Sequence, residues 1–262
     1  MKLTIDIGNT TIAFGFFEQQ ELKHVLMIDT NTRRTFDQYL SDVTSLLTSK
    51  NLLNSSVEEA IISSVVPIET KKVSNLVATL FGIQPRVLGP GIKTGLQLRV
   101  DSPNEVGADL VAVSVGALAF YEAPFLIVDL GTVNKYIYID ENKQFEGVSF
   151  TPGIMMSKDA LDRNTALLIQ VAVECPARVI GKNTKDALNS GLVYGTLAQI
   201  KGMVELINRE TNKKLSVIIT GGNAAFVSEY LVKDSSTNYT YNRYLIHHGL
   251  YEILNKNQRK SQ

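Results

Sequence analysis

Lys2-Leu3-Thr4-Ile5-Asp6-Ile7-Gly8-Asn9-Thr10-Thr11 is followed at once by Ile12-Ala13-Phe14-Gly15-Phe16-Phe17. Leu3, Ile5 and Ile7 alternate with other residues before a Gly-Asn pair, and a second apolar run follows, which is the pattern of a β-hairpin with a polar turn at Gly8-Asn9. Asp6 interrupts a strand-forming run at the mouth of that turn, where a buried carboxylate without a partner is costly. Gly8 permits close approach to the backbone, and Asn9, Thr10 and Thr11 offer short donors, so the stretch has the makings of a cradle for a phosphate chain and its metal. An ordinary hairpin with an Asx-type turn has the same residues, and these positions alone leave both readings open.

The pattern returns at Phe125-Leu126-Ile127-Val128-Asp129-Leu130-Gly131-Thr132, followed by an apolar run over 136–139. Asp6 and Gly8 match Asp129 and Gly131 at one offset of 123 residues, close to half the chain, and an internal duplication is the economical explanation. Two halves that each place an acid at a hairpin mouth are expected to face each other across a cleft. Converging carboxylates suit a hard cation with oxygen ligands, such as Mg²⁺ carried in on a nucleotide.

Between and beyond the two hairpins the chain reads as alternating helices and strands. Thr35-Phe36-Asp37-Gln38 fits a capping box, and Phe36, Tyr39, Leu40, Val43, Leu46 and Leu47 share one helical face. Residues 59–67 form a nearly continuous apolar run ended by Ser63-Ser64 and Pro67, as in a strand buried on both faces, and 70–81 reads as a helix. Arg86-Val87-Leu88 reads as a short strand and 89–95 as a loop. Ser102-Pro103-Asn104-Glu105 has the form of a helix start, with the helix over about 107–121 and Asp109 in its opening turns, where the helix dipole favours a carboxylate. Residues 147–154 read as a loop, with Pro152-Gly153, that closes over a ligand. Asn183 or Thr184 caps a long helix to about Asn208, along which Ala187, Gly191, Gly195, Ala198 and Gly202 mark a small-residue face for close helix packing. Residues 215–223 read as a buried strand running into Gly221-Gly222, where a flat ring can lie against the backbone.

The 262 residues carry 26 basic and 26 acidic side chains, and zero net charge without a basic run excludes a nucleic-acid footprint. The single cysteine, Cys175, excludes an intrachain disulfide, and His24, His247 and His248 show no metal-ligand spacing with it. No stretch approaches about 18 apolar residues, and the N-terminus runs straight into a strand rather than a signal peptide, so no membrane is involved and the cytoplasm is the expected compartment.

Together these residues resemble the acetate and sugar kinase, Hsc70 and actin superfamily, most closely its type III pantothenate kinases. The resemblance is carried by Asp6-Ile7-Gly8-Asn9-Thr10, Glu105-Val106-Gly107-Ala108-Asp109, Asp129-x-Gly131-Thr132, Pro152-Gly153-Ile154, Ile180-Gly181-x-Asn183-Thr184 with Ser190-Gly191 and Gly195, and Thr220-Gly221-Gly222. It implies an α/β fold of two ribonuclease-H-like (actin-like ATPase) domains, 1–118 and 119–262, each a mixed five-stranded sheet with flanking helices, and a nucleotide cleft between them. It implies a cytoplasmic homodimer that uses ATP, Mg²⁺ and a monovalent cation, K⁺ or NH₄⁺, to phosphorylate the small-molecule substrate pantothenate, the first step of coenzyme A biosynthesis. Carried over by position, Asp6, Ile7, Gly8, Asn9, Thr10, Thr11, Ile12 and Ala13 form the phosphate cradle, Thr132 contacts ATP beside the Gly221-Gly222 turn, and Asp129 and Asp6 are the metal-site carboxylates. Gly107, Ala108, Asp109 and Leu110 line the pantothenate pocket with Val100 and Thr184, and Asp109 is the general base.

The sequence departs from the family pattern at three places. Leu110 follows Asp109 where an arginine is usual, Val100 stands where a tyrosine is common, and Val133-Asn134-Lys135 replaces small residues and threonines. A lost charged hydrogen bond costs roughly 1.5 to 3 kcal/mol. These departures motivate an alternative, a catalytically degenerate or regulatory paralogue that keeps the fold and nucleotide binding. Lys135 adds a positive charge beside the expected cation site.

Overall fold

The computed structural model describes residues 1–164 and 171–258. The opening hairpin forms as the alternation predicts: β1 (Lys2–Ile7) pairs antiparallel with β2 (Thr11–Glu18), and β2 with β3 (Glu21–Asp29). Thr35 then starts α1 (Phe36–Ser49) with both halves of the capping box in place, the Thr35 side chain on Gln38 N and the Gln38 side chain on Thr35 N. The apolar run becomes β4 (Glu59–Ser64), parallel to β1, and Pro67 opens α2 (Pro67–Phe81) three residues before the expected start, because proline suits the first helical turn. β5 (Arg86–Val87) completes a sheet of order β3-β2-β1-β4-β5. Leu3, Ile5, Ile7, Ile12, Phe14 and Phe16 point to one face and pack with Tyr39, Val43 and Leu47 of α1 and Val73, Leu76 and Val77 of α2.

A two-residue strand, β6 (Gln97–Leu98), precedes the segment expected to open the next helix. Ser102 makes no side-chain cap there: Pro103–Glu105 forms a single 3-10 turn, Val106 is extended, and α3 (Ala108–Phe120) begins only after Gly107.

The second sheet repeats the first. β7 (Phe125–Leu130), β8 (Val133–Ile139) and β9 (Gln144–Pro152) form the antiparallel meander, and α4 (Ile154–Asn164) follows. Of residues 147–154, read as a closing loop, 147–152 are therefore strand, with Gly147 opposite Tyr138 and Val148 opposite Ile137 across β8–β9. Asn183 caps α5 (Thr184–Thr211), its side chain accepting from Asp186 N at 2.8 Å, and β10 (Ser216–Thr220), α6 (Ser228–Val232) and β11 (Tyr239–Tyr241) follow. The order β11-β10-β7-β8-β9 mirrors that of the first sheet, and β6 adds a sixth strand at the β9 edge. Leu126, Val128 and Leu130 pack beneath Leu192, Val193, Leu197 and Ile200 of α5, which places Asp129 on the opposite face.

The last helix, α7 (Leu245–Lys256), belongs to the first unit, which comprises residues 1–96, 101–120 and 245 onward; the second comprises 97–100 and 121–244. Sequence alone divides the chain at residue 118, with everything after it in the second half. The difference arises because α7 packs on α3 and on β1 and β4, burying Leu250, Ile253 and Leu254 with Ile61, Ala112 and Val115. A Cβ on Gly249 would lie 1.7 Å from the Ala112 carbonyl oxygen, and one on Gly116 would lie 2.2 Å from that of Leu245, so the two helices meet backbone to backbone.

α7 also inserts His247 against the first sheet. Its Nδ1 lies 2.9 Å from Thr4 Oγ1, which donates to the Gly15 carbonyl at 3.2 Å, and a Cβ on Gly15 would overlap both at 2.6 Å. Burial, then the neighbouring His248, lowers the His247 pKa from 6.5 to about 3. The unfolded chain therefore takes up this proton first, so stability is complete above pH 6.5 and falls as the pH drops from 6.5 towards 3. Urea unfolding at pH 5 should show a loss of about 2 kcal/mol relative to pH 7.5 from this group. His247→Gln should flatten that pH dependence; an unchanged slope would assign it elsewhere.

Candidate active site

Each unit carries a carboxylate at its hairpin mouth. In the first, Gly8 N donates to the Thr11 carbonyl at 3.0 Å and closes the turn. Thr30, just beyond β3, ties the turn down, its N–H donating to the Thr10 carbonyl at 2.9 Å and its Oγ1 to the Gly8 carbonyl at 2.7 Å. Asn9 and Thr10 are exposed, whereas Ile7 and Ile12 are buried in the core, so those two have only their backbone to offer a ligand at this turn. Asp6 sits on β1 between Ala13 of β2 and Ser63 of β4. The Ser63 hydroxyl is buried without a hydrogen-bond partner among the described residues. A half-buried carboxylate beside an unsatisfied hydroxyl and a threonine-rich turn is an oxygen donor set of the kind Mg²⁺ takes. Among the described residues no group of three or more His, Cys, Asp or Glu could hold a metal, so such an ion would complete its shell with phosphate oxygens and water.

Asp109, in the first turn of α3, folds back over Gly107: a Cβ there would lie 2.5 Å from Asp109 Oδ1. Gly107 thus clears the space this carboxylate occupies. Ala108 is half-buried and Leu110 is buried in the unit's interior, where an arginine would bring an unpaired charge.

In the second unit, Asp129 lies on β7 between Lys135 of β8 and Thr220 of β10. Lys135 Nζ donates to Asp129 Oδ2 at 2.6 Å, and both side chains are largely buried, 19% and 14% exposed. The other oxygen packs on the turn after β10. Gly221 has φ +96°, and a Cβ on it would lie 2.5 Å from Asp129 Oδ1 and 2.6 Å from Leu130 N. Gly221 is therefore required by Asp129 itself, whereas Gly222 faces open space and retains the room for a flat ring. Asn223 closes the mouth, with N–H to the Leu130 carbonyl and Nδ2 to the Gly131 carbonyl, both 2.8 Å. Gly153 N donates to the Thr132 carbonyl at 3.1 Å, the role Thr30 plays for Thr10 in the first unit. The Lys135 ammonium occupies Oδ2, so a cation ligated by Asp129 would have to share the carboxylate with it.

Val100 follows β6 and is half-buried, and Thr184 is the exposed first residue of α5, its turn held by Asn183. Thr30 and Asn223 escaped sequence reasoning because each acts from a distant loop. Counting outward from a turn centred on Thr132, however, already places Asp129 opposite Lys135.

The two mouths repeat one design in two sheets of matching strand order. The model of the type III pantothenate kinase family matches residues 2–206, and a type III pantothenate kinase from Exiguobacterium sp. is 39% identical over 259 residues, covering 99% of this chain and 100% of that one. The chain belongs to the type III pantothenate kinase family. Membership makes it a kinase, a phosphotransferase whose donor is ATP. The fold agrees with that family's superfamily. A 2-dehydro-3-deoxygalactonokinase structure from Sinorhizobium meliloti has a TM-score of 0.65 at 12% identity, covering 100% of this chain and 98% of that one. The activator of 2-hydroxyisocaproyl-CoA dehydratase from Clostridium difficile, solved with bound ADPNP, has 0.55 at 10%, covering 100% and 99%. At such identities the likeness shows the fold alone: two ribonuclease-H-like units of the actin-like ATPase type.

Proposed function

We propose that this protein transfers the γ-phosphoryl group of ATP to the primary hydroxyl of pantothenate, the entry step of coenzyme A synthesis. The observation that carries the reading is membership of the pantothenate kinase family across nearly the whole chain, with Asp109 positioned over Gly107 at the start of α3. In this reading the residues 6–13 turn holds the phosphate chain through backbone N–H groups and short hydroxyls. Asp6 would hold the Mg²⁺ that accompanies it, which would supply positive charge to the phosphate chain. Thr132, Gly221 and Gly222 contact ATP. Gly107, Ala108, Leu110, Val100 and Thr184 line the pantothenate site. Asp109 accepts the hydroxyl proton as the new O–P bond forms and the bond from Pγ to the ADP oxygen breaks.

The exposed residues Ala187, Gly191, Gly195 and Ala198 of α5, with no neighbouring atom of the described residues within 4 Å of a Cβ on Gly191 or Gly195, support a homodimer built on this face. No helix among the described residues is long and apolar enough to cross a membrane, which agrees with a cytoplasmic enzyme. Purified protein with pantothenate, ATP and Mg²⁺ should form 4′-phosphopantothenate and ADP in equal amounts, and light scattering should give twice the chain mass. ATP-dependent thermal stabilisation with no turnover at millimolar pantothenate would replace this reading with that of a nucleotide-binding paralogue.

A further inference from the structure

The duplicated mouths differ in the residue across the strand from the carboxylate. Asp6 faces Ala13, a side chain without charge, whereas Asp129 faces Lys135, whose ammonium rests on Oδ2 at 2.6 Å. This pair is built rather than incidental. Register fixes the two residues opposite each other on one sheet face, both side chains are mostly withdrawn from water, and a Cβ at position 221 would come within 2.5 Å of Oδ1, so glycine there leaves the carboxylate its place. A lysine ammonium is a compact single positive charge with three donors, close in charge and in oxygen preference to NH₄⁺ or K⁺.

We propose that Lys135 is a tethered substitute for a monovalent cation at the second mouth, so that nucleotide binding and turnover in this protein need neither K⁺ nor NH₄⁺. The proposal rests on the reading that Asp129 and Thr132 belong to the nucleotide site. The ammonium is positioned by β8 and paired with Asp129 before any nucleotide arrives. Lys135 is a positioning and charge-supplying residue and takes no part in proton transfer. A purely structural cross-strand ion pair would have the same geometry, but it would leave the response to salt untouched.

Calorimetric titration with ATP and Mg²⁺, in KCl, NaCl or choline chloride at equal ionic strength, separates the two. The native protein should bind ATP with about the same Kd in all three salts. Lys135→Met, which keeps the aliphatic stem and removes the charge, should bind about ten- to a hundred-fold more weakly in NaCl or choline chloride and recover in KCl or NH₄Cl. ATP binding by the native protein that requires K⁺ overturns the proposal, and so does a Lys135→Met variant with unchanged, salt-indifferent affinity. Should the variant not fold, Lys135→Gln takes its place and the native arm decides alone. Failure of the pantothenate reading would appear separately, as absent phosphopantothenate in an otherwise salt-indifferent ATP-binding protein.

Discussion

Asp109→Asn should melt with the parent and bind ATP with the parent's affinity, yet turn over pantothenate about 10²- to 10⁴-fold more slowly, the range for loss of a positioned general base. The substitution keeps the shape of the side chain and its place over Gly107, so the space and the helix start are preserved while the proton acceptor is lost. Phosphoryl transfer passes through a loose transition state in which positioning and charge dominate, so the residual rate should remain well above that in water. If Asp109 were only a carboxylate favoured by the α3 dipole, kcat would change little and stability would fall by about 0.3 to 1 kcal/mol instead. Initial rates and urea unfolding on the same preparation distinguish the two. Gly107→Ala offers a second probe: its Cβ, 2.5 Å from Oδ1, must displace the carboxylate, and kcat should fall with the Kd for ATP unchanged.

Gly249→Val should leave little or no folded protein. At 1.7 Å, a Cβ here meets the Ala112 carbonyl, a backbone atom within α3 that cannot rotate aside as a side-chain tip can. Overpacking a core costs about 1 to 3 kcal/mol when side chains can adjust, and a clash between two helix backbones exceeds that because the helices themselves must part. Even Gly249→Ala should lower the urea midpoint strongly, and a midpoint within experimental error of the parent would refute the close crossing. Gly191→Ala in α5 supplies the contrast. Among the described residues nothing outside the helix's own turns lies within 4 Å, so the replacement should hold or raise the stability of the monomer by about 1 kcal/mol, and any loss of dimer would report on the partner copy.

That contrast also marks what the sequence could disclose. The repeated Asp-x-Gly at 6–8 and 129–131, the capping box at Thr35 and the apolar runs of β4 and β10 were legible because each is a local pattern with its own periodicity. The small residues along α5 drew attention as packing glycines, yet the glycines that bring two helices of this chain into contact are Gly116 and Gly249, isolated ones far apart in sequence. A one-dimensional pattern cannot show which of two glycine faces has a neighbour. Residues 147–152 read as loop because Gly147 and Pro152-Gly153 are turn-forming residues, yet Gly147 lies inside β9 opposite Tyr138, and only pairing with β8 decides between the two. At the site, the repeated pattern places both carboxylates at hairpin mouths and counting outward from Thr132 sets Asp129 opposite Lys135, whereas the meeting of their side chains at 2.6 Å is visible only in the structure.

The return of α7 to the first sheet has a consequence for how the protein is made. Residues 121–244 form the bulk of the second unit and all precede residue 245 in synthesis, so the core of that unit needs nothing from α7. The first unit does need α7. Its sheet appears early, but the face bearing Thr4, Gly15 and Ile61 stays uncovered until α7 arrives with His247 and Leu250. Throughout that interval the nascent chain presents an unfinished apolar surface, the state that draws chaperones and proteases. A chain released before residue 245 should therefore carry a folded second unit and an unfinished first one, and be cleared rather than accumulate as a half-active kinase.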